Sequence, residues 1–227
     1  MSHAAELFAA ADAVLLDFDG PVTPLIPAPA NLAVADAARA PLLARDIVLG
    51  DHIGTTSDHL AVLRWAATNA PQALVEVETL CDDTETAAVS TAEPTHGAHD
   101  LLVRCHQNGK PVVIVSNNAE GAIRAYLERW SLTPYVVAVV GRPAHRPDLM
   151  KPDTHTVDEA LRIVRIEPSR AVFIGDSISD VEVSRAVGMQ CIGYAKTPCR
   201  GDGLRAAGAE AITASMADLA AAVTVHP

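Results

Sequence analysis

Residues 13–22 read AVLLDFDGPV. An apolar run at 14–16 ends abruptly on two aspartates, Asp17 and Asp19, and the chain then turns at Gly20-Pro21. A strand that is apolar at every position leaves no face for water, so it belongs inside a parallel sheet covered on both sides. Comparable runs recur at 112–115, 136–140, 171–174 and 191–194. Between the later ones lie stretches of helical character at 120–130, 154–166 and 178–187. Strands alternating with amphipathic helices, joined by right-handed crossovers, predict an α/β fold with a doubly wound parallel-sheet, Rossmann-like core.

The alternation stops between residues 23 and 95. No apolar strand run occurs there, and the pattern reads instead as helices at 31–43, 55–69 and 71–88. Thr56 or Ser57 suits the cap of the second, and Pro71 suits the first turn of the third. Prolines at 21, 24, 27 and 29 punctuate the entry. The expected organisation is a catalytic core of residues 1–22 and 96–227, with 23–95 inserted as a small helical module.

Composition narrows the partners. Of the 227 residues, 49% are hydrophobic, 20% are charged and only 4% are aromatic. That mixture is globular, with Ala, Val, Leu and Ile left to fill the core. A formal net charge of −11 opposes a nucleic-acid partner, because phosphate backbones would be repelled at long range. A small phosphorylated substrate is compatible with it, since a bound cation can dominate the local field. No run approaches the roughly 20 apolar residues of a spanning helix, and the N-terminus lacks the basic start of a secretory signal. A cytoplasmic protein with no membrane partner is the expectation. Cys81, Cys105, Cys191 and Cys199 form no C-x-x-C pair and are expected as free thiols.

Ligands of open α/β sheets gather at the carboxyl ends of the strands, near the point where strand order reverses. The residues just beyond each predicted strand therefore matter most. Asp17-Phe18-Asp19-Gly20 comes after the first, Ser116-Asn117-Asn118 after the second and Gly175-Asp176-Ser177 after the fourth, with Asp180 one turn later and Lys151 in the loop after the third. Carboxylates, a hydroxyl, an amide and an ammonium are thus expected on one rim. A carboxylate attacks a phosphate dianion only if a cation offsets their repulsion, and Mg²⁺ favours oxygen ligands. Positions two apart in extended chain share a side, so Asp17 and Asp19 can face one substrate.

Four stretches, VLLDFDGPV (14–22), VVIVSNN (112–118), LMKPD (149–153) and VFIGDSISD (172–180), occur in order. Together they resemble the haloacid dehalogenase-like superfamily, in its phosphoglycolate-phosphatase-like subgroup with a helical cap between the first and second motifs. The resemblance implies a Mg²⁺-dependent phosphomonoester hydrolase acting on a small organic phosphate through an aspartyl-phosphate. It implies Asp17 as nucleophile, Asp19 as acid/base, and Mg²⁺ held by Asp17, Asp176 and the backbone carbonyl of Asp19. Ser116 and Lys151 would then hold the phosphoryl oxygens, with N–H groups around Phe18–Gly20. Asn117 is either a further donor or a turn former. Asp180 orients Lys151 or a metal-bound water, or else only stabilises a helix start. A phosphotransferase or sugar-phosphate mutase would use the same groups, and a non-catalytic binding protein could retain the fold. Pro21 replaces the commoner threonine or valine of the family but no catalytic group.

Within the insertion, His52, Thr55, Thr56 and His59 are candidate substrate contacts, or merely a solvated helix start. The first lysine is Lys110, so the insertion has no amine for the Schiff base that phosphonate-cleaving relatives use. An acid at position 19 favours phosphoryl over dehalogenation chemistry, since a leaving alcohol needs a proton. Arg39, Arg45 and Arg64 are candidates for a second phosphate. His96 and His99 have an H-x-x-H spacing that suits either a metal or a turn entering a helix.

Overall fold

A computed structural model describes residues 2–223. Six strands, β1 (Ala13–Leu16), β2 (Val112–Val115), β3 (Ala138–Val140), β4 (Ala171–Gly175), β5 (Gln190–Tyr194) and β6 (Ala211–Thr213), form one parallel sheet in the order β3-β2-β1-β4-β5-β6. The strand order reverses at β1, where Leu16 lies in register with Ile114 on one side and Ile174 on the other. β1 is fully buried because each of its faces enters a different core. Val14 and Leu16 pack with the helices of one layer, and Ala13 and Leu15 with those of the other. This is the physical origin of its unbroken apolar run.

The helices are α1 (His3–Ala10), α2 (Ala30–Leu43), α3 (Asp51–Thr55), α4 (His59–Asn69), α5 (Leu74–Ala88), α6 (Ala98–Gln107), α7 (Glu120–Arg129), α8 (His155–Val164), α9 (Ile178–Val187), α10 (Pro198–Ala207) and α11 (Met216–Ala222). Residues of α1, α6, α7 and α11 fill the core on one face of the sheet, and those of α8 and α9 the other. Burying both faces of a parallel sheet in this way is what the crossover helices accomplish.

Helices α2 to α5 come after the first strand as an insertion with a core of its own, built from residues such as Ala38, Leu42, Val62, Leu63, Ala66 and Val77. The expected helix at 55–69 is in fact two. Thr56 is extended (φ −61°, ψ 144°), and α4 begins after Asp58, whose carboxylate accepts the N–H groups of Leu60 and Ala61 at 2.9 and 3.2 Å. Asp58, rather than Thr56 or Ser57, is the cap, because an aspartate oxygen reaches two of the orphan donors. Pro71 opens a short 3₁₀ turn that leads into α5.

The chain leaves and re-enters the sheet side by side. Thr95 donates its hydroxyl to the Gly20 carbonyl at 2.6 Å and its N–H to Val22 at 2.9 Å, while Thr23 donates to the Glu93 carbonyl at 2.7 Å. All four cysteines are free thiols, with only Cys199 exposed. Among the described residues no helix is long and apolar enough to cross a membrane.

Candidate active site

The reversal of strand order at β1 leaves a crevice at the carboxyl end of the sheet, and there a cavity of about 420 Å³ opens. Asp17, Asp19, Gly20, Ser116, Asn117, Lys151 and Asp176 all line it. Asp17 continues the sheet, donating its N–H to Ile174 at 2.9 Å, which aims its carboxylate out of the strand end.

Lys151 is the hub. It is 2% exposed, and its ammonium lies 2.9 Å from Asp17 Oδ1 and 2.7 Å from Asp180 Oδ1, and donates to the Val115 carbonyl at 3.0 Å. The amide of Asn117 holds the backbone of the same lysine, accepting from its N–H at 2.8 Å and donating to its carbonyl at 3.1 Å. Arg64, from α4, donates to that carbonyl at 2.9 Å. A buried ammonium survives only with partners of this kind. Burial pulls against the charge of Lys151, yet Asp17 and Asp180 outweigh it and hold the ammonium above its ordinary range.

The carboxylates carry the opposite stress. Burial pushes Asp17 up to about 8, with Asp180 and Asp176 adding repulsion that Lys151 only partly offsets. Burial likewise pushes Asp176 up to about 7 against the Arg200 guanidinium 3.0 Å away. Asp19 is raised by burial too, although its Oδ1 accepts the Leu25 N–H at 2.9 Å. Two glycines permit the crowding. Gly20 has φ +104°, and a Cβ there would stand 2.4 Å from Asp176 Oδ2. At Gly175 a Cβ would stand 2.3 Å from Asp180 Oδ2. Asp180 is also the N3 residue of a capping box on α9, its Oδ2 accepting from Ser177 N–H and Oγ–H at 3.0 and 2.7 Å.

This donor set fits a hard divalent cation. One oxygen each from Asp17, Asp176 and Asp180 falls within 4.8 Å of the others, and the Asp19 carbonyl accepts no hydrogen bond from the described residues. Clustered carboxylates with a free carbonyl beside them are oxygen ligands of the type Mg²⁺ takes.

Several expectations shift. Asn117 holds the Lys151 backbone through its Oδ1 and one N–H of its amide, so it is a clamp for that lysine, and its second amide N–H has no partner among the described residues. The Gly20 N–H is donated to the Thr23 carbonyl at 2.8 Å, and the N–H groups of Phe18 and Asp19 have no acceptor among the described residues. The Phe18 ring is buried in the core, edge-on to Tyr126 at 5.2 Å, so only its backbone faces the crevice. Ser116 lies at the rim, its hydroxyl donated to Asn118 Oδ1 at 3.0 Å.

In the insertion, His52, Thr55, Thr56 and His59 do not line the cavity; Asp58, Leu60 and Arg64 do. Thr55 returns its hydroxyl to the Asp51 carbonyl, and His59 pairs with buried Glu85 at 2.9 Å. His99 bonds the Tyr126 hydroxyl at 3.0 Å beside Trp130, which makes it a packing residue. Sequence reasoning missed Tyr194, Lys196 and Arg200. The Thr197-Pro198 pair, an N-cap followed by an N1 proline, was the available signal for α10, whose third residue is Arg200.

A doubly wound parallel sheet, a lysine-bridged carboxylate cluster at its reversal point and a helical insertion after the first strand define an α/β protein with a buried acidic site at the carboxyl end of its sheet. The chain belongs to the haloacid dehalogenase-like hydrolase family, whose sequence signature matches residues 49–194, well over half of its length. That stretch holds Ser116, Lys151 and Asp176, whereas Asp17 and Asp19 precede it and are brought to them by β1. The phosphoglycolate phosphatase of Caulobacter vibrioides is 28% identical over 196 residues, covering 82% of this chain and 81% of the relative. Phosphoglycolate phosphatase 1 of Pseudomonas aeruginosa is 28% identical over 95 residues, 42% of this chain and 34% of that protein. In three dimensions the chain resembles CbbY of Rhodobacter sphaeroides, solved in complex with phosphate, at a TM-score of 0.67 and 17% identity over 92% of this chain and 96% of that one. A haloacid dehalogenase family hydrolase of Deinococcus radiodurans, solved with bound phosphate and sodium, gives 0.58 at 23% identity over 93% and 94%.

Proposed function

We propose that the chain is a Mg²⁺-dependent phosphomonoester hydrolase acting on a small organic phosphate through an aspartyl-phosphate on Asp17. The observation that carries this reading is the buried Lys151 ammonium between Asp17 and Asp180, beside Asp176. Such a lysine can neutralise charge on phosphoryl oxygens as well as hold the attacking carboxylate in place. The phosphoglycolate phosphatase relatives lend support on the substrate side.

In the first step an Asp17 oxygen bonds to phosphorus and the ester P–O bond breaks. The leaving alkoxide takes a proton from the Asp19 carboxyl, which burial favours in its protonated form. In the second step water attacks the aspartyl-phosphate and gives its proton to Asp19, and the acyl oxygen–phosphorus bond breaks to release phosphate and regenerate Asp17. When bound, Mg²⁺ supplies the positive charge that lets two anions meet, with Asp17, Asp176 and the Asp19 carbonyl as its protein ligands. Ser116, by turning toward the substrate the hydroxyl that it otherwise gives to Asn118, and the free N–H groups of Phe18 and Asp19 hold the phosphoryl oxygens, and Asp180 steadies Lys151.

Residues 23–95 serve as a cap in this reading, presenting Asp58, Leu60 and Arg64 to a site whose chemistry comes from residues 1–22 and 96–227. Hydrolysis of an aryl phosphate, measured with and without Mg²⁺, is the test. Turnover should need the metal, and Asp17→Asn should lose both turnover and acid-stable labelling of the protein by ³²P-substrate. Metal-independent turnover, or substantial activity in Asp17→Asn, would sink the mechanism.

A further inference from the structure

Four cations line the cavity: Arg64, Lys151, Lys196 and Arg200. Two are committed to carboxylates. Lys151 pairs with Asp17 and Asp180, and Arg200 with Asp176, whose carbonyl it also contacts at 3.1 Å. Arg64 and Lys196 have no carboxylate partner among the described residues. The single hydrogen bond of Arg64 takes one N–H to the Lys151 carbonyl, and the rest of its planar fork is unspent. Lys196 is exposed at the mouth, its nitrogen 5.7 Å from the centre of the Tyr194 ring, another lining residue.

The other arginines of the insertion are satisfied internally. Arg39 is buried, donating to the carbonyls of Ile53 and Thr56 and pairing with Asp36 at 2.8 Å. Arg45 donates to the Pro41 carbonyl and pairs with Glu76 at 2.6 Å. Asp58, the one acid that the insertion turns toward the cavity, is occupied with the N–H groups at the start of α4. Arg64 is half-buried and burial lowers its affinity for its proton, with Asp58 countering, so its charge there is incompletely compensated. A guanidinium in that state is a planar two-pronged donor for a carboxylate or phosphate.

We propose that Arg64 and Lys196 form a second anion-binding subsite, so that the substrate carries a carboxylate or a further phosphate besides the phosphoryl group that Asp17 attacks. The inference rests on the phosphatase reading and narrows it. Arg64 comes from the insertion and Lys196 from the loop after β5, so such a substrate would be gripped from both sides of the crevice. The bond from Arg64 to the Lys151 carbonyl sets this second grip next to the residue that touches Asp17.

The test compares three substrates with Mg²⁺ present: phosphoglycolate, a sugar bisphosphate and 2-hydroxyethyl phosphate, which has no second anion. The wild-type kcat/KM should favour one of the doubly anionic substrates over the neutral-ended one by at least about 10-fold, a typical size for charged hydrogen bonds. Whichever is favoured identifies the anion. Arg64→Met and Lys196→Met should each bring that ratio down toward unity, a loss of up to about 10-fold for a 10-fold preference, mainly through KM, with partial rescue in Arg64→Lys. Lys196 is exposed, so its variant reads the subsite even if Arg64→Met folds poorly. A flat ratio in the wild type, with the neutral-ended substrate turned over, overturns the subsite and leaves the phosphatase. Equal losses on all three substrates in both Met variants also overturn it. No turnover of any of the three, nor of an aryl phosphate, overturns the phosphatase reading and the subsite together.

Discussion

Asp17 and Asp19 are two residues apart and do opposite things in the proposed reaction, and their surroundings differ accordingly. Burial raises both carboxyls, but Asp17 is in contact with the Lys151 ammonium, while Asp19 accepts only the backbone N–H of Leu25. An acid that stays protonated matters most when the departing alcohol is a poor leaving group. Asp19→Asn should therefore cut kcat about 10²- to 10⁴-fold on an alkyl phosphate. With an activated aryl phosphate the first step should survive, so labelled phosphoenzyme should accumulate while its hydrolysis stalls. Equal losses of phosphoenzyme formation on both substrates would remove Asp19 from the acid's role. The charged residues at strand ends were legible in the sequence, because the end of an apolar run marks where a strand stops and a loop begins. The work of Asn117 was not, since its amide is claimed by the backbone of Lys151, 34 residues away, which no local pattern encodes.

The helices of the insertion were legible as elements from their apolar spacing, but the network that ties them to the sheet was not. Glu85 of α5 is 0% exposed and meets His59 of α4 at 2.9 Å, Arg142 at 3.0 Å and the Ala119 N–H at 2.6 Å. Arg142 also pairs with Asp82 at 2.5 Å and donates to the Asn117 carbonyl at 2.7 Å. One insertion helix thereby holds the loop that carries Ser116 and Asn117. Burial acts to raise the Glu85 carboxyl, yet His59, Arg142 and Ala119 together hold it below its ordinary 4.5. A carboxylate depressed in the folded state stabilises above its unfolded pKa, and that stability is lost as pH falls through the folded value. Glu85→Gln should cost about 1.5–3 kcal/mol near pH 7, because it removes a charged acceptor from His59, Ala119 and Arg142 and leaves the arginine to Asp82 and the Asn117 carbonyl. In urea denaturation the gap from wild type should narrow below about pH 4.5. A gap that stays constant down to pH 3.5 would show that shape, and not charge, sets the cost. The shorter elements β6, α1, α10 and α11 escaped the sequence reading: β6 has only three residues, and the two terminal helices are too alanine-rich for a distinct apolar face.

For the whole molecule, the order of strands decides where charge collects. Reversal at β1 brings β4 beside it, and so places Asp176 and Asp180 against Asp17 in a chain already carrying a net −11. Asp17 and Asp176 are raised from 3.8 to about 8 and about 7. Between about pH 4 and 8 the metal-free fold thus keeps protons that the unfolded chain has shed, and its stability declines as pH rises through that window. A divalent cation binds the deprotonated carboxylates and must displace those protons, so it should bind more tightly at pH 8 than at pH 5.5. At a concentration of 100 Kd it adds about 2.7 kcal/mol. For a chain of this size that is roughly 5–10 °C in Tm. Mg²⁺ should therefore raise Tm by that order at pH 8, by clearly less at pH 5.5, and hardly at all in Asp176→Asn. Mere screening of the net charge would also stabilise, but it depends on ionic strength and not on the ion. NaCl at matched ionic strength separates the two: an equal rise with NaCl, or an undiminished rise in Asp176→Asn, would mean that these carboxylates hold no metal.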